Sequence, residues 1–135
     1  MDLEEFFYGL EGKWNLSRTV NTTNSFHGEV QFVASKLDNQ LICREDCFDM
    51  NDNSYNKNYY YSLKTPFCIQ IFLRPNKKDL FTEFTKENIN RYSVYICGND
   101  TYAFKITPCS KNKFITQCKI YGPKKDLLIE TINYR

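Results

Sequence analysis

Leu10-Glu11-Gly12-Lys13-Trp14-Asn15-Leu16-Ser17-Arg18-Thr19-Val20 is the stretch on which the fold turns. Before it, apolar residues recur at helical spacing: Leu3, Phe6, Phe7 and Leu10 form one stripe. Asp2 stands where a helix cap belongs, and Glu4 and Glu5 suit the positive end of a helix dipole. The spacing predicts a helix over residues 2–10, with Gly12 as its stop. From Lys13 the period drops to two. Trp14, Leu16 and Val20 alternate with polar residues, and Arg18 falls on their face, which predicts a β-strand half buried against a core.

The same alternation continues outward from this point. Phe26, Gly28, Val30, Phe32 and Ala34 make a second run, and Leu41 to Phe48 a third. Tyr55, Lys57, Tyr59, Tyr61 and Leu63 share one face of a fourth, which Thr65-Pro66 ends. Phe67, Ile69, Ile71 and Leu73 follow, then Leu80 to Phe84, Tyr92 to Ile96, and Tyr102, Phe104 and Ile106. A turn is expected over Pro108 to Asn112, before Phe114, Thr116, Cys118 and Ile120, and the last run is Leu127 to Tyr134. Asn/Asp-, Gly- and Pro-containing turns separate the runs, so the pattern predicts about ten short strands after one helix.

Strands joined by short loops form an antiparallel meander, and closing it into a barrel removes two exposed edges. The inward faces are almost all apolar, which fits a filled barrel or a modest cavity better than a wide pore. A two-sheet sandwich is the alternative architecture. The expectation is one all-β domain over residues 1–135, an antiparallel up-and-down barrel with a short N-terminal helix. Composition agrees: aromatic residues make up 16% of the chain, while Ala occurs only at Ala34 and Ala103. Abundant Asn, Lys, Ile, Tyr and Phe also match AT-rich codon usage.

No apolar run approaches the length of a membrane span, so no membrane partner is expected. Met1 to Leu10 carries Asp2, Glu4 and Glu5 where a secretory signal carries Lys or Arg, which predicts a cytoplasmic protein. Cys43, Cys47, Cys68, Cys97, Cys109 and Cys118 are then expected to stay reduced. Charge is unevenly divided. Residues 1–70 hold six Lys/Arg against ten Asp/Glu, and residues 71–135 hold twelve against six. From Lys105 to Lys125 there are six lysines and no acid, which forms either a basic patch or a merely solvated face.

Catalytic groups are sparse, and the expectation is a protein that binds and does not catalyse. His27 is the only histidine and lies on the polar side of its strand. Cys43 and Cys47 share a strand face but stand roughly 13 Å apart along it, too far to share a zinc ion. There is no Cys-x-x-Cys pair and no phosphate-binding glycine loop, so neither a metal nor a cofactor is expected. Glu45 and Asp46 face opposite sides of one strand and form no carboxylate pair.

Gly12-Lys13-Trp14 after a helix resembles the start of lipocalins and related calycin barrels. That likeness implies a tryptophan plugging one barrel end beneath a basic residue, here Arg18, Arg44 or Arg135. A wider set of segments resembles the domain-of-unknown-function family 6314: Leu10 to Arg18, Cys43-Arg44-Glu45, Cys97-Gly98-Asn99-Asp100-Thr101-Tyr102, and Tyr121-Gly122-Pro123-Lys124-Lys125-Asp126. The likeness spans nearly the whole chain and implies a small calycin-like barrel without an assigned activity. Where many members carry a histidine before the cysteine block, this chain has Tyr95, which puts in doubt any role that needs an imidazole there.

Microsporidian dormancy factors are similar to that family, and the composition resembles theirs. The likeness implies a partner, the ribosome with its RNA and proteins, and a hibernation role in the transfer-RNA exit region that holds translation off. Lys111, Lys113, Gly122, Pro123, Lys124, Lys125 and Asp126 are the candidate contacts, with Asp126 holding its loop through backbone hydrogen bonds. The alternative is an intracellular carrier of a small apolar ligand, with Trp14, Arg18, Arg44, Glu45, Asp100, Tyr102 and Arg135 at a barrel end or in its interior. An enzyme using Arg44, Glu45, Asp100 and Tyr102 is a third reading.

Overall fold

A computed structural model describes residues 2–135. It begins with helix α1 (Leu3–Gly9), where Asp2 caps the end by accepting the Glu5 amide at 2.7 Å. Gly12 follows at φ 122°, a left-handed backbone that suits glycine, and opens β1 (Gly12–Val20). Nine more strands follow: β2 (Asn24–Ala34), β3 (Gln40–Phe48), β4 (Ser54–Thr65), β5 (Cys68–Arg74), β6 (Lys78–Thr85), β7 (Ser93–Cys97), β8 (Asp100–Ser110), β9 (Lys113–Gly122) and β10 (Lys125–Tyr134).

All ten form one antiparallel sheet in the order β6-β5-β4-β3-β2-β1-β10-β9-β8-β7. The alternative of two packed sheets is therefore set aside. Every neighbour but one is also the next strand in sequence; β1 and β10 pair across the chain, with Asn15 opposite Tyr134 and Val20 opposite Ile129. The two ends of the sheet, β6 and β7, carry no ladder between them. Aromatic side chains bridge them: the Phe81 ring lies 6.1 Å from Tyr95 and 5.3 Å from Phe104. The result is a nearly closed barrel.

Two expected boundaries shift. Pro108 does not turn the chain; β8 continues through it to Ser110, with a register slip between Pro108 and Ser110. A bulge tolerates proline because one residue there leaves the ladder and needs no N–H. Phe67, placed in a strand by alternation, sits in the β4–β5 turn and is exposed, its amide bonded to Thr65 Oγ1 at 3.1 Å.

One barrel end is plugged. Trp14 is buried, its ring 4.9 Å from Phe114, and its Nε1 donates to the Leu10 carbonyl at 2.8 Å. Phe6 from α1 reaches Phe114 from outside at 5.7 Å, and Phe32 joins Tyr61 at 5.2 Å. The fully apolar helix stripe thus seals the bottom of the barrel, while alternation on β1, β2 and β3 supplies its floor. The turns after β1, β3, β5, β7 and β9 surround the opposite end, which is the mouth.

Candidate functional site

Above the Trp14 floor the barrel encloses a cavity of about 320 Å³. Its two sides differ in chemistry. Phe81 from β6, Tyr95 from β7 and Tyr102 and Phe104 from β8 form an aromatic wall, their rings 5.3 to 6.2 Å apart. Arg18 from β1, Glu45 from β3 and Lys57 and Tyr59 from β4 form a polar wall. Cys43, Cys118, Ile120 and Ile129 fill the space between.

The polar wall is centred on one ion pair. Arg18 Nη2 donates to both Glu45 oxygens, at 3.0 and 3.1 Å, and Nε donates to Thr131 Oγ1 at 2.8 Å. Nη1 has only the Cys47 thiol, at 4.0 Å. Burial works against the charge on Arg18, but the charge and hydrogen bonds of Glu45 outweigh it and raise the pKa. Arg18 therefore stays cationic inside the barrel, with a neutralising partner in place.

The Tyr59 phenol and the Cys43 and Cys118 thiols in the cavity are held neutral. Burial raises the Tyr59 phenol well above its ordinary range, and the nearby Glu45 charge adds to this. Burial likewise pushes the Cys43 thiol up, and the Cys118 thiol up to about 11. Neither thiol is a thiolate near neutral pH, so neither is an activated nucleophile. Among the described residues only the Tyr8 and Tyr55 hydroxyls have protein hydrogen-bond partners, so those of Tyr59, Tyr61, Tyr95 and Tyr102 are left for water or a ligand.

Of the residues singled out in the sequence, Arg18, Glu45 and Tyr102 meet in the cavity. Arg44 does not: Glu45 faces inward, and strand alternation turns Arg44 out to solvent. Arg135 proves to be the cation on Trp14, its guanidinium carbon 4.0 Å from the ring centroid. Asp100 sits at the mouth and pairs with Lys125 at 3.2 Å. The set Arg44, Glu45, Asp100 and Tyr102 is thus not brought to one place. His27 is exposed beside Phe48.

The lysine turns are separated as well. Lys111 and Lys113 flank the β8–β9 turn at the plugged end, while Gly122, Pro123, Lys124, Lys125 and Asp126 lie at the mouth. Asp100, not Asp126, holds that second turn: its carboxylate pairs with Lys125 and packs on Gly122, where any side chain would collide with it. Asp126 contributes its carbonyl, which accepts from Asn21 Nδ2 at 3.4 Å. The segments Cys97 to Tyr102 and Tyr121 to Asp126 are therefore one structural unit, a latch between two adjacent turns on the rim of the mouth.

The profile of DUF6314, a family of unknown function, matches residues 10–135. The chain belongs to that family. No curated protein sequence matches it. Among solved structures it is similar to an S-type phycobiliprotein lyase, CPES, from Guillardia theta, with a TM-score of 0.69 at 13% identity over 100% of this chain and 93% of that one. It is also similar to a redesigned β-barrel, mFAP1, and to EF1p2_mFAP2b, each bound to DFHBI. For mFAP1 the TM-score is 0.59 at 12% identity, over 97% of this chain and 99% of the other. For the mFAP2b variant it is 0.60 at 12% identity, over 98% of each. These likenesses establish a shared barrel fold in this DUF6314 member.

Sequence reasoning missed Phe81, because a register slip between Ile71 and Phe72 changes which β6 residues face inward. It also missed Thr131 as a cavity group, whereas Lys57 shares the alternating face of Tyr59. Alternation had already placed Tyr59, Phe104 and Cys118 inward, so those were findable strand by strand.

Proposed function

We propose that this DUF6314 barrel binds one small, mainly apolar molecule in its central cavity and carries it without chemical change. The observation that carries this reading is the cavity itself: about 320 Å³ above a sealed floor, walled by aromatic rings, with one partly buried ion pair and several unpartnered hydroxyls for orientation. Protonated thiols and the exposed, solitary His27 leave no base and nucleophile poised together, which supports a carrier over an enzyme. The solved barrels of similar fold that hold DFHBI favour the same reading. Six free thiols support a reducing, cytoplasmic location.

Binding to a dormant ribosome rests on the family resemblance and on the lysine-rich second half of the chain. The latch gives it no added support, because Lys125 is already paired with Asp100. Native mass spectrometry of the protein purified from its own cells tests the carrier: a stoichiometric small molecule is expected, and it should leave on unfolding. Repeated recovery of empty protein, together with salt-dependent co-sedimentation with ribosomes, would reverse the order of the two readings.

A further inference from the structure

We infer that the ligand is a flat, conjugated molecule with a single negative charge, its acidic group facing Lys57 and a hydrogen-bond acceptor on its edge facing Arg18. This inference rests on the carrier reading above.

Charge around the cavity decides the sign. Glu45 and Lys57 are direct register partners on β3 and β4, which normally makes a cross-strand ion pair. Glu45 instead gives both oxygens to Arg18. Among the described residues Lys57 then has no carboxylate at ion-pairing distance, and its ammonium lies 5.7 Å from the Tyr59 ring centroid. Two cations and one carboxylate border the cavity, leaving one uncompensated positive charge at its polar wall. A cationic ligand meets net repulsion there, and an anionic one gains a counter-charge from the exposed Lys57 ammonium at the cavity's edge.

Shape follows from the opposite wall. Phe81, Tyr95, Tyr102 and Phe104 offer ring faces and edges across the cavity from Arg18 and Lys57, which favours a planar π-system over a branched aliphatic chain. The acceptor follows from Arg18. Its Nη1 has only a thiol, a weak acceptor, at 4.0 Å, so a carbonyl or ether oxygen of the ligand improves on the present partner. A wholly hydrocarbon ligand would instead cut these donors and the tyrosine hydroxyls off from water at a cost.

A matched pair of fluorogenic probes separates the claims: anilinonaphthalene sulfonate and the neutral phenylnaphthylamine, which share the aromatic body and differ by the sulfonate. The wild-type protein should bind the sulfonate about tenfold more tightly, and Lys57→Met should bring the ratio close to one. Lys57 is exposed, so that substitution leaves the core untouched. Equal affinity in the wild type, or a ratio unmoved by Lys57→Met, would overturn the monoanion while the carrier reading stands. Ile120→Trp, which fills the mouth, should abolish binding of both probes. If neither probe binds the wild type, or both bind the Ile120→Trp protein undiminished, the carrier reading itself is overturned.

Discussion

The guanidinium of Arg135 lies over the indole of Trp14, its carbon 4.0 Å from the ring centroid, and at the same time ties three loops together. Its Nη2 donates to the carbonyls of Gly9 at 2.6 Å and Lys111 at 3.0 Å, and Nη1 to that of Glu11 at 3.3 Å. One planar cation thus joins α1, the start of β1 and the β8–β9 turn over the barrel plug. Arg135→Ala should lower stability by about 1–2 kcal/mol, and Arg135→Lys should recover little of it, because ammonium lacks the planar fork. Urea unfolding of the three proteins checks this; a lysine variant matching the parent would show that charge alone suffices.

Beneath that cation, Trp14 should matter more. It is 3% exposed, packs edge-on to Phe114 and satisfies its own N–H through Leu10. Trp14→Ala is expected to cost about 3–5 kcal/mol, as large core truncations do. An unchanged urea midpoint would remove Trp14 from the plug.

The ion pair inside the cavity predicts an asymmetry. Glu45→Ala strands the Arg18 charge in the barrel and should cost about 3–5 kcal/mol, whereas Arg18→Met with Glu45→Met should sit much closer to the parent. Thermal or urea melts of both variants measure the gap. Equal destabilisation would mean that the pair itself, and not the stranded charge, carries the energy.

Thiol chemistry predicts a pH response. Unfolded cysteine ionises near 9.0, while burial holds Cys118 protonated up to about 11 and holds Cys68, bonded to Glu83, up to about 12. The folded state thus keeps protons that the unfolded state loses. Stability from this source is complete below pH 9 and falls as pH rises from 9 to about 12. The urea midpoint should decline over that window. In parallel, native thiol titration at neutral pH should find Cys97 and Cys109, the two exposed cysteines, reacting quickly, with the other four following only on unfolding.

Gly28 marks a place where β2 and β3 leave no room for a side chain. A side chain there would run into the Asp46 carbonyl and lie 2.6 Å from Cys47 Cα, the residue it faces across the β2–β3 ladder. Gly28→Ala should therefore cost about 1–3 kcal/mol through strand displacement. Because Cys47 is the sole acceptor for Arg18 Nη1, probe binding should weaken too. Retained stability and binding would show that the strands have room to part.

Much of this barrel is written locally. The Leu3, Phe6, Phe7 and Leu10 stripe, the halt at Gly12 and the two-residue alternation from Trp14 onward specify a capped helix and ten strands, because side-chain period and turn chemistry are properties of neighbouring residues. The same alternation turns Arg18 and Glu45 inward and Arg44 outward. What the sequence left open depends on residues far apart in the chain. That Arg135, not Arg18 or Arg44, covers Trp14 follows from β10 pairing with β1. That Phe81 faces the cavity follows from a register slip against β5, since one displaced residue reverses every inward side chain beyond it. Glu45 taking Arg18 as its partner, leaving its register partner Lys57 free beside it, was decided only by the tertiary structure, which brings β1 and β3 side chains together across β2 so that Arg18 Nη2 reaches both Glu45 oxygens.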